Sequence, residues 1–252
     1  MPVIEAKPQP ATELDWPSHV PPPPRGDELP TDDGVPLETW RHRLAMNLLI
    51  DTLDDYWADR DDVCVAGNMF LYYSAHQKKH NDFRGPDVFV VTDTVRKERK
   101  SWVVWEEDGR LPDVVIELLS ESTAAVDRGA KKRIYESVMR VPDYFLYDPF
   151  SYELEGYRLG PRGYEQLEAN AAGRLPSAAV GLEIGVWRGV YANVEADWLR
   201  WYTTDGELLP TQAERTRIAE QERDATAERA QELEAKLAAY ERRFGELGDD
   251  EG

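Results

Sequence analysis

Several side chains between Arg84 and Pro149 are of the types that handle a phosphate ester and a hard cation. They include the carboxylates of Asp87 and Glu117, the amine of Lys131 and the phenol of Tyr135. Glu117 interrupts an apolar run, with Val114, Val115 and Ile116 before it and Leu118 and Leu119 after it. An unpaired carboxylate in such a setting costs on the order of several kcal/mol or shifts its pKa. Something must compensate it. Lys131 falls in the first turns of the next predicted helix, and Tyr135 stands four residues on, on the same face. Helix N-termini attract anions through free N–H groups and the macrodipole. A divalent cation would compensate the carboxylates, and a phosphate would suit the amine and the helix end.

The elements that must position these groups are short. Pro86-Asp87 opens the run VFVV and Pro112-Asp113 opens VVIELL, both rich enough in Val and Phe to predict buried strands. Asp127 is placed to cap a helix running to about Arg140, where Val141-Pro142 ends it. Asp113 lies about 13 Å from Glu117 along an extended strand, which suits strand entry better than a shared metal. Upstream, Leu37 to Trp57 predicts a helix whose apolar stripe includes Trp40, Leu44, Leu48, Ile50, Leu53 and Trp57. Val63 to Tyr73 reads as a strand with Gly67-Asn68 as a bend or hairpin. Beyond Pro149 come further β segments, where Trp187, Trp198 and Trp201 are expected to pack the core.

Composition bounds the rest. The 252 residues, 41% hydrophobic, suit one domain with appendages: a disordered Pro-rich arm (1–36), a core (37–210) and a charged helical tail (211–252). In the tail, Leu233, Leu237, Tyr240, Phe244 and Leu247 alternate steps of four and three, a short coiled-coil seam over 233–247 through which two copies could pair. Cys64 stands alone, which excludes an internal disulfide and a cysteine-based zinc site. No apolar run approaches bilayer length, so a soluble protein without a membrane partner is expected. The net charge of −19 opposes generic nucleic-acid binding, although Lys78, Lys79, Arg96–Lys100 and Arg128–Arg133 gather positive charge locally.

The segments PDVFVV (Asp87), IELLS (Glu117), DRGAKKRIY (Asp127, Lys131, Tyr135) and VPDYFLYDP closely resemble the Uma-two-type restriction endonuclease family of the PD-(D/E)XK nuclease superfamily, over about residues 38–210. The resemblance implies an α/β restriction-endonuclease-like fold: a mixed sheet flanked by helices, with a β extension and the C-terminal helical tail. It implies a cytoplasmic Mg²⁺-dependent endonuclease acting on DNA, with Mn²⁺ as the other candidate ion. Asp87 and Glu117 would hold the metal beside the Leu118 carbonyl, and Lys131 would complete the catalytic set. Tyr135 and Glu38 would support it, while Lys78, Lys79, Arg84 and Lys132 would meet the nucleic acid. The usual superfamily lysine, two residues after the acid, is replaced here by Leu119, and Lys131 on the following helix takes its place. Two other readings stay open: a member that binds DNA or protein without turnover, and an adaptor that assembles through its coiled-coil tail.

Overall fold

Residues 24–26, 28, 29, 39–74 and 83–245 are described by the structure, a computed structural model. The chain runs through α1 (Trp40–Tyr56), β1 (Val63–Ala66), β2 (Leu71–Tyr72), β3 (Phe83–Arg84), β4 (Val88–Thr92), β5 (Trp102–Val103) and β6 (Val114–Leu118). A helical segment follows, made of α2 (Ala124–Val126), a π-helical turn (Asp127–Lys131) and α3 (Lys132–Ser137). Then come β7 (Asp143–Tyr147), β8 (Leu154–Gly160), β9 (Gly163–Gln166), β10 (Leu175–Ser177), β11 (Leu182–Tyr191), β12 (Val194–Tyr202) and α4 (Gln212–Phe244). This is the expected mixed α/β architecture with a β extension and a C-terminal helix.

The central sheet has the order β1-β4-β6-β7-β8-β9, and only β6 and β7 run parallel. A parallel pair needs a crossover, and the helical segment from Ala124 to Ser137 supplies it. Both faces of the sheet are covered, which is why its strands read as continuous apolar runs. Val88, Val90, Val114, Ile116 and Leu118 face α1 and the β10–β12 sheet, where Leu48, Leu49, Leu199 and Trp201 lie buried. Phe89, Val91, Val115 and Leu119 face the other way, toward Tyr135 and Met139. Strand alternation therefore turns Glu117 to the α3 side. Trp198 and Trp201 are buried, and the Trp201 indole N–H donates to the Leu49 carbonyl at 3.1 Å, tying the β extension to α1.

The structure differs from expectation at several places. α1 begins at Trp40 with Thr39 as its cap, and Trp40 is 66% exposed, outside the apolar stripe. Gly67-Asn68 forms the expected bend, but it divides the predicted Val63–Tyr73 strand between two sheets: β1 joins the large one, while β2 pairs with β3 and β5 in another. Asp127 is no cap. The crossover helix already starts at Ala124, and Asp127 lies buried within it. Part of the Pro-rich arm is anchored, since the Trp105 indole donates to the Pro24 carbonyl at 3.1 Å and Gly26 N donates to Glu106 Oε1 at 2.8 Å.

α4 starts with a capping box between Thr211 and Glu214. Arg200 Nη2 to Glu214 Oε2 (2.8 Å) and Arg215 Nη2 to Asp55 Oδ2 (2.6 Å) fasten its first turns to the body. Farther along, Leu233, Leu237 and Tyr240 are 58%, 52% and 66% exposed. The helix ends at Phe244 before Gly245 (φ 82°), and Leu247 of the expected seam lies outside the described residues. Among the described residues, no helix is long and apolar enough to cross a membrane.

Asp143, at the start of β7, is fully buried and accepts from Arg158 Nε (2.9 Å), Ser177 Oγ (3.0 Å) and Ala179 N (3.0 Å), joining β7, β8 and β10. Asp143→Ala is expected to lower stability by about 2–4 kcal/mol, because three donors lose their acceptor. Urea denaturation checks this, and a loss below about 1 kcal/mol would show that water replaces the carboxylate at little cost.

Candidate active site

Asp87 sits just before β4, and Glu117 is the fourth residue of β6. The antiparallel register pairs Val88 with Ile116, so one further step sets Asp87 opposite Glu117 on the α3 face. Side chains so placed have Cβ atoms about 5 Å apart. The Gly67-Asn68 bend shapes the approach to Asp87. Asn68 N donates to the carbonyls of Pro86 (3.1 Å) and Asp87 (3.2 Å), and a Cβ on Gly67 would lie 2.0 Å from the Asp87 carbonyl oxygen. The Asp87 carboxylate then accepts the Leu118 N–H at 2.7 Å. On the other side of that residue, the Leu118 carbonyl accepts from His42 Nε2 at 3.0 Å, while His42 Nδ1 meets Thr39 Oγ1 at 2.9 Å. The start of α1 thus holds the end of β6.

Glu117 is 1% exposed. Its Oε1 accepts from the Tyr135 hydroxyl at 2.9 Å and its Oε2 from Lys131 Nζ at 3.1 Å. Lys131 Nζ also lies 2.8 Å from Asp127 Oδ1, a close ion pair whose angle makes no hydrogen bond. Asp127 is as buried as Glu117, at 1%. The π-helical turn from Asp127 to Lys131 sets this pair, and the Tyr144 hydroxyl pins it by donating to the Asp127 carbonyl at 3.0 Å. Such turns are rare and occur frequently at functional sites.

Asp87, Glu117 and Asp127 therefore share one ammonium, that of Lys131. Burial pushes the Glu117 carboxyl up to about 8 against the pull of Lys131, with Asp87 and Asp127 adding to the rise. Asp87 keeps part of its surface open, yet its carboxyl is packed among protein atoms, and that burial raises its pKa against the Leu118 N–H and Lys131. Burial opposes the Lys131 ammonium, but Glu117 and Asp127 outweigh it and hold its proton above the ordinary lysine range. Burial, and then the charge of Glu117, keep Tyr135 protonated well past the usual phenol range. The cluster is short of positive charge.

Asp87, Glu117, Lys131 and Tyr135 are thus brought together. Lys132 points away, its Nζ 3.1 Å from the centre of the Tyr157 ring. Arg84 Nη1 donates to the Phe83 carbonyl at 2.5 Å, and its charge reaches Tyr135. Glu38, Lys78 and Lys79 lie outside the described residues. Asp113 binds Thr92 N (2.7 Å) and Thr92 Oγ1 (2.8 Å) at the opposite end of β6, as strand entry requires. Leu119 is a core residue on the α3 face. Asp127 and His42 were not singled out by the spacing of carboxylates on strands. The i, i+4 step from Asp127 to Lys131 was a signal for the first, and the second had none.

Residues 24–219 match the sequence profile of Uma2, described as "Putative restriction endonuclease". A protein of Synechocystis sp. described as uncharacterized is 32% identical over 124 residues, which span 49% of this chain and 61% of the relative's length. A crystal structure of "a putative nuclease belonging to DUF820" from Anabaena variabilis is similar at a TM-score of 0.45 and 16% identity, covering 63% of this chain and 90% of that one.

The Glu117 carboxyl carries a pH signature. Its pKa rises from 4.5 to about 8 on folding, so between those values the folded chain binds more protons than the unfolded one. Stability then falls as pH rises through this window. In metal-free buffer, Glu117→Gln is expected to remove more than about 1 kcal/mol of the decline between about pH 5 and about pH 8. Parallel urea curves for the variant and the wild type would contradict the burial-driven shift.

Proposed function

Because the chain belongs to the Uma2 family of restriction-endonuclease-like nucleases, we propose that it hydrolyses phosphodiester bonds in DNA. Asp87 and Glu117 would hold Mg²⁺, with Mn²⁺ able to take its place. The observation that carries this reading is the meeting of Asp87, Glu117 and Lys131 where β4 and β6 adjoin, in a cluster deficient in positive charge. The donor set suits the ion: Mg²⁺ is typically held by one or two carboxylates and keeps several waters. Among the described residues, no three His, Cys, Asp or Glu side chains form a metal-holding group, so the ion would rest on the carboxylate pair and its own waters, the Leu118 carbonyl already accepting from His42.

Mg²⁺ bound there supplies charge neutralisation on the phosphoryl oxygens and a more acidic water. The chain's own groups do the positioning. Leu118 N–H fixes Asp87, and the Tyr135 hydroxyl fixes Glu117. Lys131 presents its ammonium to the attacking water and to negative charge developing on the phosphoryl group. Arg84 and the Lys78-Lys79 segment are the proposed backbone contacts for the nucleic acid. A cytoplasmic location is part of the same proposal.

Supercoiled, linear and single-stranded DNA incubated with Mg²⁺ or Mn²⁺ test the reading. Cleavage is expected from the wild type and should drop at least about 100-fold in Asp87→Ala and Lys131→Met. A non-catalytic binding role is the second reading, favoured by the engagement of Lys131 with two carboxylates. DNA retention without cleavage, with no cation uptake by calorimetry, would establish it.

We also propose that two copies pair through the exposed face of α4. Leu233, Leu237 and Tyr240 take d, a and d positions, which places Arg229 and Lys236 at g and Glu234 and Glu241 at e. In a parallel pair those g and e charges are opposite across the seam, whereas an antiparallel pair would oppose like charges. Light scattering on the full chain should give twice the chain mass, and Leu237→Glu should return it to the monomer. A dimer that survives this substitution places the interface elsewhere.

A further inference from the structure

Asp127 is as deeply buried as Glu117 and lies against the same ammonium, that of Lys131. Its Oδ1 lies 2.8 Å from Lys131 Nζ and has no hydrogen-bond partner of good angle. It does not cap the helix, because Thr123 precedes the first helical residue, Ala124. Nor does it form a three-member metal-holding group with Asp87 and Glu117 among the described residues. An ordinary i, i+4 ion pair on a helix surface would be open to water and worth a few tenths of a kcal/mol. This one is enclosed, and the turn that forms it is pinned at the Asp127 carbonyl by Tyr144. Tyr144 in turn lies between Tyr135 (5.2 Å between ring centres) and Tyr164 (5.8 Å, stacked). The fold has a specific place for a carboxylate whose neighbour is the Lys131 ammonium.

Resting on the nuclease reading above, we propose that Asp127 is a positioning residue that keeps Lys131 in the site once Glu117 is engaged by a divalent cation. Lys131 Nζ now lies between Glu117 Oε2 (3.1 Å) and Asp127 Oδ1 (2.8 Å). A cation on Glu117 repels an ammonium at this range, and Lys131 has a way out, since its side chain is 22% exposed. A lysine on a flexible four-carbon stem would then swing to solvent. The second carboxylate removes that option: Lys131 leaves Glu117 but stays with Asp127, next to the reacting phosphate. Asp127 also lowers the competition between Lys131 and the cation for Glu117.

The test is Mn²⁺ calorimetry on the full chain, carried out on the wild type, Asp127→Asn, Lys131→Met and the double variant. Asp127→Asn should weaken Mn²⁺ binding about tenfold, and the loss should shrink at least threefold in the Lys131→Met background, as coupled residues require. DNA cleavage by Asp127→Asn should fall in kcat more than in KM, and Asp127→Glu should recover most of both. If Asp127→Asn does not fold, Asp127→Ser takes its place in the cycle. An equal loss in both backgrounds would mean that Asp127 acts on the cation directly, and no loss would make the pair structural; either result overturns the proposal. A wild type that takes up no Mn²⁺ overturns the nuclease reading itself, and this inference with it.

Discussion

Where β4 and β6 adjoin, one ammonium lies against two buried carboxylates, with a third across the strand pair. Buried ion pairs of this kind are weak sources of stability, because desolvation offsets much of the attraction. With three acids to one base the balance is worse, and the Glu117 carboxyl responds by holding its proton to about pH 8. A fold that keeps such a cluster is working against its own stability at one point, the usual trade at sites built to act on something else.

The surrounding elements make sense as supports for that cluster. The antiparallel β4–β6 register puts two acids on one face, and the parallel β6–β7 pair demands a crossover helix on the same side. The π-helical turn in that crossover sets the Asp127–Lys131 pair, and Tyr135 and Tyr144 hold Glu117 and the turn. From the opposite face, α1 reaches the end of β6 through His42, and the Leu118 residue links His42 to Asp87. The β extension contributes no group to the cluster. It buries α1 from behind, with Trp201 bound to the Leu49 carbonyl.

Much of this was legible in the chain as written. A lone glutamate within VVIELL demands compensation whatever the fold, and two Pro-Asp strand starts point to paired strands. The i, i+4 spacing put Lys131 and Tyr135 on one helix face, and both indeed reach Glu117. Asp127 was misjudged because an aspartate before a helical pattern is so commonly its cap. Local preference could not reveal that the helix starts four residues earlier, with Thr123 in the cap position, or that it widens into a π turn. His42 left no trace, since its partner is a backbone carbonyl 76 positions away.

Residue types and short-range periodicity, which depend only on neighbours along the chain, determined the strands, the crossover helix, the solvated tail and the acids, amine and phenol able to do chemistry. Which strands pair, in what register, and which carboxylate meets the ammonium were decided by tertiary structure alone. Those outcomes depend on contacts between distant segments: Gly67 leaving room for the Asp87 carbonyl, Leu118 donating to Asp87, and Tyr144 pinning the turn at Asp127. Burial is a property of the assembled layers, so the scarcity of positive charge around Glu117 exists only once the sheet and α3 close over it.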